Sequence, residues 1–292
     1  MRSYNNKNWL EVFTLHKEDT LRLLWPLLLV IGFYTLGVDY WLSTRPDFTN
    51  STVLKNLTIV HSLLGLVISL LLVFRTNTAY DRWWEGRKLW GSLINNSRNL
   101  AIKLNAVLGK NQIADRRFFA KTIALFARVL DVHLKSPALE MQLDDAEHPE
   151  LANLDKEGHV PNQVATVLLK RIYLLARTGQ ITQEELLSMN PEITSFTDIC
   201  GACERIKNTP IPFSYSSFIK RFIILYVATL PWSLAANLGF WSVPVVMFVM
   251  YALSSLEVIA EEIEEPFGID PNDLPTKRIA ENIEKNVTTI LN

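Results

Sequence analysis

Four stretches of the chain carry no charged side chain over lengths close to the thickness of a bilayer: residues 23–38, 57–74, 222–241 and 243–256. A spanning helix needs roughly 20 mostly apolar residues. Counting the interfacial Tyr40, Trp41 and Trp241 brings the first and last runs to that length. The pattern predicts spans over about 22–42, 57–75, 222–241 and 243–260. Helices buried in a soluble core are the alternative. The first run is not read as a signal peptide, because its apolar part is too long and no small-x-small cleavage site follows.

Between the second and third spans the pattern changes to amphipathic helix over about residues 76–215. Trp90, Ile94, Ser97, Ala101, Leu104 and Leu108 recur at spacings of four and three, a packing stripe. Phe119, Ile123, Phe126, Leu130 and His133 repeat it within residues 117–135, where Lys121, Arg128 and Asp131 argue against a membrane span. Residues 140–158 are acidic and loop-like, between Pro137 and Pro161. A further helix is expected over 164–177, stopping at Gly179, and Thr182 with Glu185 has the spacing of a capping box. Pro210 and Pro212 break the chain before the third span. No strand pattern or internal repeat stands out. The expected fold is all-α: one domain over 1–292, with four transmembrane helices continuous with a helical cytosolic region.

Charge fixes the expected orientation. Arg2, Lys7, Lys17 and Arg22 precede the first span, Arg75, Arg82, Arg87 and Lys88 follow the second, and Lys220 and Arg221 precede the third. Positive-inside then puts both termini and the middle region in the cytosol of a multi-pass cell-membrane protein. The loop 43–56, with sequon matches at Asn50 and Asn56, and a turn near Ser242 face outside. With 29 basic and 30 acidic residues, nothing favours nucleic acid as a partner.

Candidate chemistry is sparse. Cys200 and Cys203, the only two cysteines, share a helical face with Ile193 and Phe196, so a buried pair is expected over redox or metal use. The five histidines show no zinc-protease spacing, and no P-loop, Rossmann glycine pattern or nucleophile elbow is present, so no enzyme activity is expected. In the second span Thr58, Ser62, Gly65 and Ser69 form a small or polar stripe suited to close helix packing. Beside it run Ile59, Leu63, Leu66, Leu70 and Phe74. That stripe faces lipid, or, if copies surround an axis, forms an apolar constriction that gates by dewetting. Glu257, Glu261 and Glu264 read as a solvated helix face in preference to an ion site. Asp270, Asn272 and Asp273 cluster oxygen ligands of the kind hard cations prefer.

Three motifs in this order, FRTNTAYDRWWEGRKLWG from Phe74, NTPIPFSY from Asn208 and EEPFGIDPNDLP from Glu264, resemble the bestrophin family of ion channels. The resemblance implies a homopentamer, each chain meeting four further copies, membrane lipid and permeant monovalent ions around one central pore. It maps a hydrophobic neck onto Leu66, Leu70 and Phe74, where members with a more aromatic neck carry two phenylalanines. It maps a cytosolic constriction near Gln183 or Glu184. It gives Arg82, Trp83 and Trp84, with Pro266, Phe267 and Gly268, a structural role. A calcium clasp would use the backbone at Glu262 and Glu265 and the carboxylates of Asp270 and Asp273, completed by a neighbour's N-terminal segment. Ile269, Pro271 and Asn272 stand where calcium-activated members carry a denser acidic run, so no cofactor is expected to be required. The implied function is a channel for chloride or other small anions. A cation channel of the same architecture, a secondary transporter and a non-conducting membrane-anchored assembly or regulatory protein are the other readings.

Overall fold

The computed structural model describes residues 20–45, 52–135 and 158–292. Among these there is no strand, and the chain is all-α. The basic residues before Thr20, the sequon at Asn50 and the acidic stretch 140–157 lie outside the described residues. The helices are α1 (Thr20–Ser43), α2 (Thr52–Val107), α3 (Ile113–Lys135), α4 (Val160–Arg177), α5 (Gln183–Asn208), α6 (Phe213–Leu238), α7 (Ser242–Glu264) and α8 (Thr276–Leu291). Four of them, α1, α2, α6 and α7, are long and apolar enough to cross a membrane.

The chain divides into two compact units. One comprises residues 2–82 and 210–264, the other 83–209 and 265–292. The 56-residue helix α2 runs unbroken through the boundary at Arg82.

In the membrane unit α1, α6 and α7 pack on one another. Leu24, Leu28, Ile68, Leu72, Ile219, Ile223, Val227, Leu230, Val246 and Met250 form its interior. Several polar side chains here find partners inside the unit, as the absence of water in lipid favours. Tyr34 Oη donates to the Ala228 carbonyl at 2.9 Å and accepts from Trp232 Nε1 at 3.0 Å. Ser242 Oγ meets Asp39 Oδ2 at 2.5 Å.

Two boundaries differ from the expected ones. The third span was expected over 222–241, but α6 begins at Phe213, because Lys220 and Arg221 end the apolar run without ending the helix. Its end is set by Gly239, whose φ of 52° stops the helix, so a 3-10 turn over Gly239–Trp241 makes the reversal. Ser242, expected in that turn, is instead the buried first residue of α7.

In the second unit α3 is central and packs on α4, α5 and α8. Trp90, Leu100, Leu104, Phe119, Ile123, Phe126, Leu130, Phe196, Cys200 and Cys203 are buried in one core. The Phe126 and Phe196 rings stack with centroids 4.9 Å apart. The two cysteines are free. Thr182 caps α5 by the expected box: its hydroxyl accepts from Glu185 N at 3.2 Å and its own N–H donates to Glu185 Oε2 at 2.7 Å. Helix α4 starts four residues earlier than the periodicity suggested, since His159 serves as its N-cap and Pro161 opens its first turn. The C-terminal helix α8 had a signal in the spacing of Ile279, Ile283, Val287 and Leu291, all buried.

Candidate pore-lining face and the charged core of the membrane unit

Helix α2 has two contrasting faces within its membrane portion. Ile68, Leu72 and Arg75 turn into the unit and are 1–2% exposed. Leu66, Leu70 and Phe74, at spacings of four, turn away from it and are 70%, 55% and 56% exposed. Ile59 and Leu63 extend that outward stripe. The small-residue stripe beside it packs in part. At Gly65 an added Cβ would stand 3.0 Å from Tyr226 Oη, so a larger residue would push that hydroxyl aside. Ser62 and Ser69 instead remain exposed and donate to the carbonyls of Thr58 and Gly65, at 3.0 and 2.7 Å.

One turn beyond Leu72 the interior becomes ionic. Arg75 Nη2 lies 2.7 Å from Glu264 Oε2, and Nε lies 3.4 Å from Glu257 Oε1. Glu264 Oε1 accepts from Ile211 N at 2.6 Å, and its carbonyl accepts from Arg82 Nε at 3.0 Å. The stripe Glu257, Glu261 and Glu264 is therefore not a solvated face, as the sequence suggested. Glu257 and Glu264 are buried against Arg75; only Glu261 is exposed, paired with Lys220 at 2.8 Å. The spacing of a helix face is the same whether water or a buried cation covers it, so the pattern could not tell the two apart.

The RWW and PFG motifs meet through α2 and the loop before α8. Trp83 Nε1 donates to the Asn272 carbonyl at 3.0 Å. Gly86 lies under Phe267 and Pro266, whose side-chain carbons would be 3.1–3.2 Å from an added Cβ. Trp84 is exposed. Within the loop, Asp273 Oδ2 accepts from Asp270 N at 2.6 Å and Leu274 N donates to the Pro266 carbonyl at 2.9 Å. At Gly268 a Cβ would stand 2.7 Å from Asp273 Oδ2. Asp270 is exposed and Asp273 is buried, closing the loop. Glu262 is half-buried in α7, and Glu265, just beyond it, is exposed.

Burial pushes the Asp273 carboxyl up to about 6, against the pull of its bond to Asp270 N–H. Its folded pKa thus exceeds the unfolded value, so its stabilising contribution is complete below about pH 4 and is lost as pH rises through about 6. The wild-type melting midpoint is expected to fall relative to that of Asp273→Asn across that window and to run parallel above it. A gap between the two that ignores pH would contradict this.

Gln183 and Glu184 sit in the exposed first turn of α5. The Glu184 carboxyl is held below its ordinary range by its own backbone N–H and the Thr182 hydroxyl. One grouping escaped the sequence reading altogether: His133, His159 and Glu204 converge in the second unit. No spacing rule joins them, because they come from α3, the N-cap of α4 and α5.

The chain matches the family profile described as bacterial/fungal bestrophin protein over residues 1–289. It is similar to a voltage-dependent anion channel-forming protein of Nostoc, 36% identical over 227 residues, covering 76% of this chain and 74% of that one. It is also similar to the voltage-dependent anion channel-forming protein YneE of Escherichia coli, 32% identical over 224 residues, covering 76% and 73%. A crystal structure of a mutated bacterial bestrophin homologue from Klebsiella pneumoniae superposes with a TM-score of 0.78 at 26% identity, covering 91% of this chain and 98% of that one.

Proposed function

The chain belongs to the bacterial and fungal bestrophin family, and from that premise we propose that it is the subunit of a homopentameric channel for chloride and other small anions. The observation that carries this reading is the outward stripe of α2. Leu66, Leu70 and Phe74 are more than half exposed, while the opposite face of the same helix is fully packed. Five copies around an axis would bring this stripe together as a neck that dehydrates ions without replacing their water. The anion preference follows the names of the relatives, which are anion channel-forming proteins. Arg75, Arg82, Arg87, Lys88, Lys220 and Arg221 at the span ends support an orientation with both termini in the cytosol. The neck presents no charge, so the sign of the permeant ion is set elsewhere. Glu184 is the acidic group nearest the expected cytosolic constriction and the one that would favour cations. Calcium is not required for opening in this reading, because Ile269, Pro271 and Asn272 thin the acidic run after Gly268.

Purified protein in planar bilayers tests this. Unitary currents are expected whose reversal in asymmetric salt moves toward the chloride equilibrium potential, from particles whose mass in mild detergent equals five chains. The currents should survive calcium chelation. Reversal toward the cation potential would select the cation channel. Saturable flux without unitary events would select a transporter, and a well-folded pentamer that passes no ions would select the non-conducting assembly.

A further inference from the structure

His133 stands in the last turn of α3, His159 is the N-cap of α4, and Glu204 lies in α5. Nε2 of each imidazole is 2.6 Å from the same carboxylate oxygen, Glu204 Oε1. The two rings are tilted at 49° with centroids 4.8 Å apart. One ligand atom from each of the three residues lies within 4.8 Å of the others. We propose that His133, His159 and Glu204 form a divalent transition-metal site of the zinc class that clasps α3, α4 and α5 together.

The donor set decides the class of metal. Two imidazole nitrogens and one carboxylate are the ligands of zinc and its neighbours, with a fourth position left for water. Calcium and magnesium need a shell made of oxygen, which this grouping lacks. The three side chains are partly exposed, at 33%, 35% and 26%, so an ion can reach them from solvent. Lys207, the nearby cation, directs its ammonium to the His133 carbonyl at 3.1 Å.

Metal entry would replace both Nε2–Glu204 hydrogen bonds and would also change the cap of α4. Asn162 N–H donates to His159 Nδ1 at 3.2 Å, which leaves the ring proton on Nε2, facing Glu204. Metal on Nε2 moves that proton to Nδ1 and releases the long cap bond. His159 thus couples metal binding to the start of α4. The two histidines also bracket residues 136–157, so a bound ion would tie together the two ends of that segment.

The test uses the full-length chain freed of any polyhistidine tag, stripped with chelator in detergent and titrated with zinc or cobalt ions. One metal ion per chain is expected, with the intense visible absorption of four-coordinate cobalt and a rise in melting temperature on zinc addition. Excess calcium should not compete. Glu204→Gln and His133→Ala should weaken binding by at least about 100-fold, since losing even an outer-shell partner costs roughly 10–100-fold. His159→Ser keeps a good N-cap for α4 and should fold, yet lose the metal and the melting shift. If the wild-type chain binds no more zinc than His159→Ser, or if binding survives both His159→Ser and Glu204→Gln, the site does not exist.

Discussion

Replacing Leu66 and Leu70 together with alanine is expected to raise unitary conductance on the order of tenfold, equivalent to lowering the permeation barrier by about 1.4 kcal/mol. The barrier is apolar: a ring of leucine side chains removes water from an ion and offers no dipole in return. Shortening two leucines per chain would widen the ring by ten side chains in a pentamer and let it stay wet. Phe74→Ala should act in the same direction. The fold should tolerate these changes, because Leu66 and Leu70 are 70% and 55% exposed and their truncation opens no cavity. Anion preference should be unaltered, since neither residue carries charge. Single-channel recording with reversal potentials checks both points. If the alanine neck conducts like wild type while Glu184→Ala alone removes the barrier, the neck has been assigned to the wrong residues.

Arg75→Ala is expected to be the most damaging single substitution to the membrane unit, at about 3–5 kcal/mol, the usual cost of leaving buried partners of an ion pair unpaired. Arg75 is 1% exposed and its guanidinium reaches both Glu257 and Glu264. Glu257, 2% exposed, would lose its ion-pair partner while staying buried. Glu264 would still hold Ile211 N–H but lose its cation. Arg75→Lys should recover only part of the loss, because a single ammonium cannot copy the two-sided reach of a guanidinium. Lys220→Ala is the control. Its pair with Glu261 is exposed on both sides, so it should cost about 0–1 kcal/mol. Melting of detergent-solubilised protein separates the cases. Equal losses for Arg75→Ala and Lys220→Ala would mean that the Arg75 network contributes no more than a surface pair.

What the sequence determined by itself is local. The four spans follow from charge-free length, which depends on composition alone. The faces of α2, α3 and α5 follow from the spacing of Leu66 and Leu70, of Phe119 and Ile123, and of Phe196 and Cys203, because 3.6 residues per turn places such residues side by side. The Thr182–Glu185 cap is likewise complete within four residues. What only the tertiary structure decided is which partner each face meets. Glu257 and Glu264 lie 182 and 189 positions from Arg75, and nothing in their spacing separates a wet helix face from a buried ionic core. His133, His159 and Glu204 are brought together by the packing of three helices, after a separation of 71 positions from first to last. Helical periodicity fixes the direction of a side chain about its own axis; the identity of what lies in that direction is set by chain segments far away, through packing that no short window of sequence contains.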